Sequence, residues 1–391
     1  MGKIVLLADF PLSRNMAGPL MRYYELSAAL SAQHEVTLAG ERVESDFIPP
    51  ASVKVLKTPA FKSINFIFKA TLPNPDFLKE INKFEIIITH GRILRALGLS
   101  KIKTKLIIDL YGPWFIEDLV SGKNIDHRQN MKGIKELLLR GDYFICANER
   151  QKDLYIGMLL MAGRADSDLD DKIGLVPMGI SPIPPLSLKP RLKGVIPGIN
   201  PGDKIIISWG GMWDWLDHQT LIEMMSIISQ KRKDLKLVFF GSASPEKGLS
   251  RTAKESLKMA KNYGLFEKQV FFIDHWIPYS ERGEWLLEGD LAVISHYQNL
   301  ETRFAWRTRA LDLLWAGLPI VSSEGDPLSE IIKGENLGRV VPCGDPPAFA
   351  HKILELIENP HECQKIKQSI QDFIPNLYWG NLIGPIHEFI K

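Results

Sequence analysis

The chain has 391 residues, 45% hydrophobic and 24% charged, with 48 Lys and Arg against 46 Asp and Glu. That length suits two domains, and a formal charge of +2 gives no basic excess of the kind a nucleic-acid partner demands. Three cysteines (Cys146, Cys343, Cys363) without a C-x-x-C pair argue against a disulfide framework or zinc site and for a reducing compartment.

The first apolar run, KIVLLAD, is too short for a signal peptide or a membrane span, so a cytosolic location is expected. Short β-branched runs then alternate with helix-period segments, the pattern of parallel sheets with crossover helices. HEVTLAG, VKVLK, FEIIITH, KLIIDLY, YFICAN and IGLVPMG continue the first array. Between its first two strands, Leu20, Tyr23, Tyr24, Ala28 and Leu30 can share one helical core face. From Phe47 to Lys105, eleven Lys or Arg stand against three acids around FKSINFIFKATLP. Two readings stay open for residues 54–105: a solvated face, or a docking surface for anionic lipid or a phosphorylated acceptor. Residues 184–202, rich in Pro and Gly, read as a linker. A second array follows: KIIISWG, LKLVFFG, VFFID, LAVISH, LPIVSS and LGRVVPC. The expected domains are residues 1–183, closed by a crossover tail at 374–391, and residues 203–373. The fold class is α/β, with two Rossmann-like domains facing a central cleft.

No G-x-G-x-x-G follows the first strand or occurs elsewhere, which disfavours dinucleotide chemistry. P-loop, nucleophile-elbow and H-E-x-x-H patterns are missing, and the nine histidines show no metal-ligand spacing, so neither cofactor nor metal is expected. The loop at Gly18 is either a plain βα turn or an approach for an anion or sugar to a helix end. The second domain opens on ISWGGMWDWLD. Gly210 and Gly211 suit close backbone approach by a phosphate, Trp209 reads as packing, and Asp217 as a helix cap. Trp213 and Asp214 are open between packing and ligand contact. Trp276, after the strand VFFID, joins the donor-side candidates.

The densest segment is SHYQNLETRFAWRTRALDLLWAGLPIV. Glu301, Thr302, Arg303, Arg307, Arg309 and Asp312 gather where a helix begins, beside an apolar face of Leu311, Leu314 and Trp315. Such a set makes a poor core. Arginines and helix N–H groups can neutralise a diphosphate leaving group, while a carboxylate can accept two hydrogen bonds from a ribose. A nucleotide sugar is the ligand this chemistry fits.

ALDLLWAGLPIV resembles the EAMAxGxPVV segment of retaining GT-B glycosyltransferases of family 4 (group 1). GPLMRYYELSAALSAQHEVTLAG, GDYFICANERQKDLY and LVPMGI resemble further segments of that family, in order, from residue 3 to about residue 345. The likeness is greatest to a bacterial branch with GG-x-x-DW-x-D and ET-x-x-x-x-RTR-x-x-D. It implies transfer of a sugar from a nucleoside diphosphate sugar to a hydroxyl, with retention and without a metal. The setting implied is bacterial polysaccharide or glycoconjugate synthesis in the cytoplasm or at the inner membrane face. The acceptor would be a sugar, a lipid-linked glycan or a small molecule.

The family's paired Glu map onto Phe304 and Asp312. Glu301 lies three residues too early for the first, and Asp312 inherits the ribose contact. Gly211 and Leu216 occupy the positions of the family's usual Arg and Lys; either Arg303, Arg307 or Arg309 replaces the missing cations or the donor diphosphate is poorly neutralised. Glu301, Arg307 and Arg309 are the catalytic candidates. In the first domain Tyr111 stands where the family often has His, with Asp109 nearby. His90 is either structural or touches acceptor or sugar. Two rivals accompany this reading: another GT-B sugar-nucleotide enzyme, such as an epimerase or pseudo-glycosyltransferase, and a binding module without turnover.

Overall fold

The computed structural model describes residues 2–59, 75–91, 94, 98–120, 122, 127–244 and 248–391. The chain forms two compact units: Met1–Asp118 with Lys123–Gly179 and Tyr378–Lys391, and Ile180–Leu377 with Leu119–Gly122. All thirteen strands read from the sequence form. Among the described residues no helix is long and apolar enough to cross a membrane.

The first unit holds a parallel seven-stranded sheet: β1 (Lys3–Ala8), β2 (Glu35–Gly40), β3 (Val53–Lys57), β4 (Ile86–Thr89), β5 (Lys105–Asp109), β6 (Tyr143–Cys146) and β7 (Ile173–Leu175). Their order is β3-β2-β1-β4-β5-β6-β7. The order reverses at β1, which pairs Ile4 with Val36 on one side and with Ile86 on the other. β4 and β6 are buried at every residue, as strands covered on both faces must be. Their Ile and Phe side chains give about 1.5–3 kcal/mol each on burial.

Helix Gly18–Ser31 packs on β1 and β2 through Leu20, Tyr23, Leu26 and Leu30. Tyr24 and Ala28, expected on that face, are only half-buried, whereas Arg22 is wholly buried. The chain's last segment belongs to this unit. Trp379 is buried, Phe389 stacks on Tyr143 at 4.7 Å, and His387 Nδ1 lies 3.1 Å from His34 Nε2.

The second unit repeats the plan with β8 (Lys204–Ser208), β9 (Leu235–Phe240), a short ribbon of β10 (Ala243–Ser244) and β11 (Gly248–Leu249), β12 (Val270–Ile273), β13 (Leu291–Ile294), β14 (Ile320–Ser323) and β15 (Gly338–Val341). The parallel sheet runs β12-β9-β8-β13-β14-β15, so its order reverses at β8. Polar residues just past the strands cap the helices that follow. Asp217 accepts from Thr220 N, Asn299 from Thr302 N, and Asp326 from Leu328 N and Ser329 N. Gly317, at φ +70°, ends helix Thr308–Trp315.

Residues 184–202, expected as a linker, lie within this unit and are pinned to it. Glu288 accepts the backbone N–H groups of Arg191, Leu192 and Lys193, and the Arg191 side chain donates to Glu281 and Glu284. Leu192 and Ile199 are buried. Side-chain carboxylates satisfy a backbone that has no strand partner, which apolar periodicity does not reveal.

Candidate functional site

In an open parallel sheet, ligands bind outside the carboxyl ends of the strands where strand order reverses. In the second unit that place lies between β8 and β13. β8 runs into Gly210 at φ +87°, Gly211 follows, and the turn after β9 comes against them. A Cβ on Gly241, itself at φ +63°, would stand 3.1 Å from the Cα and N of Gly211. Glycine is required here by backbone geometry at Gly210 and Gly241 and by the Trp213 ring at Gly211, which would stand 2.8 Å from a Cβ there, so a ligand approaches this turn beside Trp213 and Arg309.

Arg309, on the first turn of helix Thr308–Trp315, stands over the same turn. Its Nη2 donates to the carbonyl of Gly211 at 2.9 Å. Among the described residues it forms no ion pair with a carboxylate. Burial, and then the charge of Arg307, push its pKa down to about 9. A desolvated cation without an anion favours a negatively charged ligand.

Arg307 is differently placed. Its two terminal nitrogens donate to the two oxygens of Glu301 at 2.9 and 2.8 Å, and one also meets Thr302 Oγ1 at 3.1 Å. Both partners of this fork are about 6% exposed. Behind them Asp326 Oδ2 lies 3.8 Å from Arg307 Nε and 3.5 Å from His296 Nε2. Burial raises the Asp326 carboxyl to about 6 and lowers His296 to about 3, so His296 is neutral. Its Nε2 is 3.0 Å from the carbonyl of Glu324, which can only accept, so Nε2 carries the proton. Glu301 and Arg307 thus neutralise each other inside the unit instead of standing open beside Arg309.

Both oxygens of Asp312 are also engaged by protein. Trp209 Nε1 donates to one at 2.9 Å and Arg282 Nε to the other at 3.0 Å. Arg282 lies against the rings of Tyr279 and Trp315, 3.6 and 4.0 Å from their centroids. Trp209 is buried, as its packing role requires. Arg282 carries no motif in the sequence, and its partnership with Asp312 had no signal there.

Of the other donor-side candidates, Trp213 is 36% exposed and stacks on Trp215 at 5.5 Å. Asp214 accepts from Thr252 N and Oγ1, fastening its loop to helix Arg251–Asn262. Trp276 is half-buried beyond β12, Arg303 is exposed beside Phe304, and Thr302 is buried, donating to Tyr297 O at 2.7 Å. Leu216, in the place of the family's Lys, is buried and bridges to His296. Among the described residues no group of three or more His, Cys, Asp or Glu is placed to hold a metal ion.

In the first unit the reversal lies between β1 and β4. Gly18 begins helix Gly18–Ser31, whose cap residue Ala17 offers no side-chain bond. His90 follows β4 directly, with Tyr23 stacked on it at 5.1 Å and Phe10 edge-on to Tyr23 at 5.6 Å. Asp109 is not an open carboxylate. Its oxygens accept from Arg22 Nε at 2.8 Å and Nη2 at 3.0 Å, one also accepts from Tyr111 N, and both partners are fully buried. The Arg22 guanidinium lies 4.5 Å from the centre of the Tyr111 ring. Arg22 escaped the sequence reading because an Arg on a helix ordinarily faces water.

Of the basic stretch, Lys54, Lys79 and Lys83 pair with Glu35, Asp76 and Glu80. Arg92, Arg95 and all of FKSINFIFKATLP, with Lys62 and Lys69, lie outside the described residues.

Residues 203–359 match the family model of the glycosyl transferases group 1. The whole chain superposes on HepE of Anabaena, solved with UDP and glucose, with a TM-score of 0.68 and 13% identity, covering 100% of this chain and 99% of that one. Sucrose-phosphate synthase of Thermosynechococcus elongatus gives a TM-score of 0.66 at 13% identity, with 99% of both chains covered. WaaG, a glycosyltransferase involved in lipopolysaccharide biosynthesis, gives 0.66 at 12%, with 98% of both covered. No curated protein sequence is significantly similar to the chain. The fold is α/β, of the GT-B type, with two Rossmann-like parallel sheets.

Proposed function

We propose that the chain is a glycosyltransferase. It takes a nucleoside diphosphate sugar at the second unit and passes the sugar, with retention, to a hydroxyl presented at the first. The observation that carries this is Arg309. A half-buried cation, without a carboxylate partner among the described residues, stands over a glycine turn at the reversal of strand order. The leaving group of such a donor is a diphosphate. Its charge grows as the glycosidic bond breaks, and a prepositioned guanidinium stabilises it most at that point. The match of residues 203–359 to a glycosyltransferase family supports the assignment of the donor to this unit. HepE, solved with UDP and glucose, supports a nucleotide sugar as the donor class.

In this reading Arg309 is the catalytic cation, and the diphosphate approaches the backbone at Gly210, beside the Trp213 ring that lies over Gly211. Asp312, Trp213 and Trp276 flank the nucleotide. Glu301 and Arg307 act from beneath, as the pair that fixes the start of the Arg309 helix. His90 and Tyr111 face the acceptor. No cofactor or metal is required, because the leaving phosphate takes the acceptor's proton.

One observation favours a second reading, a sugar-nucleotide-binding module without turnover. Glu301, the nearest stand-in for the family's first Glu, is locked to Arg307. Incubation with a panel of nucleotide sugars, following nucleotide release with and without acceptors, separates the two. Acceptor-stimulated release supports the transferase, and tight binding without release supports the module. Proton NMR of the anomeric centre of the product then tests retention.

A lipid-linked acceptor, in a bacterial glycan or polysaccharide pathway, follows from the basic stretch if it holds the protein on an anionic membrane. Co-sedimentation with anionic and neutral vesicles at low and high salt tests this. Equal binding to both vesicle types leaves a soluble acceptor.

A further inference from the structure

The first unit buries a full ion pair where a packed aliphatic core would serve stability as well or better. Desolvating a guanidinium and a carboxylate costs several kcal/mol each, and their attraction repays that only with good geometry. Here the geometry is a two-point fork, with both side chains at 0% exposure. The pair ties the helix after β1 to the end of β5, next to the reversal between β1 and β4, and three neighbours there depend on it.

Asp109 Oδ1 accepts from Tyr111 N at 3.2 Å and so sets the path of the chain leaving β5. The backbone carbonyl of Asp109 lies 3.0 Å from His90 Nδ1. A carbonyl can only accept, so Nδ1 carries the proton of the neutral ring and Nε2 is left with its lone pair. Nε2 has no hydrogen-bond partner among the described residues and is not buried. Tyr23, the residue after Arg22, stacks on the imidazole at 5.1 Å and 29° and fixes its plane. One helical turn thus supplies both the cation that holds Asp109 and the ring that holds His90.

We propose that the Arg22–Asp109 pair is a positioning device. It holds His90 as the Nδ1–H tautomer, so that Nε2 accepts a hydrogen bond from a hydroxyl of the acceptor. This rests on the transferase reading above and deepens it: the acceptor-side contact is a hydroxyl donor to imidazole, not an anion to a cation. Arg22 and Asp109 neutralise each other, and Arg22 Nη1, which has no hydrogen-bond partner among the described residues, is buried, so the pair presents no exposed charge to an anionic group.

The test joins ¹⁵N NMR of the His90 ring with transfer kinetics, in the full chain, for wild type, Arg22→Lys, Asp109→Asn and His90→Ala. Wild-type His90 is expected as the Nδ1–H tautomer. Arg22→Lys keeps the charge but loses the fork. It and Asp109→Asn are expected to give mixed tautomers and to raise the acceptor KM at least fivefold, with the donor KM within twofold. His90→Ala is expected to raise the acceptor KM as much or more. Wild-type His90 protonated on Nε2, or variants with unchanged tautomer and acceptor KM, would overturn the proposal. If the wild type transfers no sugar, the functional reading fails while the tautomer result still decides the positioning role. If a variant does not fold, the neutral pair Arg22→Gln with Asp109→Asn takes its place, with the same tautomer outcome expected.

Discussion

At the first sheet's reversal the buried cation is Arg22, and both oxygens of Asp109 meet it. At the second, Arg309 hydrogen-bonds only the carbonyl of Gly211 among the described residues, while the nearby carboxylate, Glu301, is taken up by Arg307. The sheets share a strand order, yet one site is electrically closed and the other keeps a cation in reserve. A closed site suits a neutral, hydroxyl-bearing acceptor, and an open cation suits a diphosphate.

The largest effect expected from breaking this comparison is on stability. Arg22→Met leaves Asp109 buried and unpaired and should cost about 3–5 kcal/mol. Chemical denaturation read from a probe in the first unit measures it. Adding Asp109→Leu should recover most of the loss, because no charge is then left alone. Arg307→Ala should destabilise the second unit on the same scale, by orphaning Glu301.

Arg309→Ala is expected to do the opposite. Thermal unfolding should stay within about 0.5 kcal/mol of wild type, while kcat/KM for transfer falls by roughly 2 kcal/mol or more, the scale of a lost transition-state donor. Loss of stability together with activity would make Arg309 a packing residue.

A smaller effect concerns acid. His218 is buried against Phe239 with neither ring nitrogen bonded, and burial lowers its pKa to about 3. The unfolded chain binds a proton there near pH 6.5 while the folded chain stays neutral, so stability falls as pH drops from about 6.5 toward 3. His218→Leu should therefore stabilise the second unit more at pH 5 than at pH 8. His296 acts in the same direction. Asp326, raised to about 6, opposes both, because its folded form holds a proton that the unfolded form has released between about pH 4 and 6. Denaturation midpoints across pH 4–8 give the sign. An equal gain at pH 5 and pH 8 would show that His218 is not held neutral.

The smallest effect is at a cap. Asp326→Ala should cost about 1 kcal/mol through its two helix N–H bonds, and Asp326→Asn less.

The architecture was legible because strands buried on both faces read as continuous apolar runs, as FEIIITH and YFICAN do; the edge strand VKVLK, exposed at Lys54, Val55 and Lys57, is legible only as a short β-branched run. Asp217 as a cap and Gly317 as a helix end were legible for similarly local reasons. The site was legible as a neighbourhood only. Glu301, Arg307, Arg309 and Asp312 lie within twelve residues of sequence, but which cation is free depends on Arg282 and Trp209 claiming Asp312 and on Glu301 claiming Arg307. Those pairings span up to 103 positions and leave no local pattern. Arg22 and Asp109 are 87 residues apart and were missed as a pair for the same reason. The ordered segment 184–202 shows the converse, a sequence without periodicity held by carboxylates of its own unit, Glu281, Glu284 and Glu288.

The most direct test of the open cation is calorimetric titration of nucleoside diphosphates (UDP, GDP and ADP in turn) into wild type, Arg309→Ala and Arg307→Ala. Wild type is expected to bind at least one of the three. Arg309→Ala should bind that nucleotide at least tenfold more weakly with an unchanged melting temperature, while Arg307→Ala should show its loss first in the melting temperature. Equal affinity of wild type and Arg309→Ala for every nucleotide would contradict this expectation.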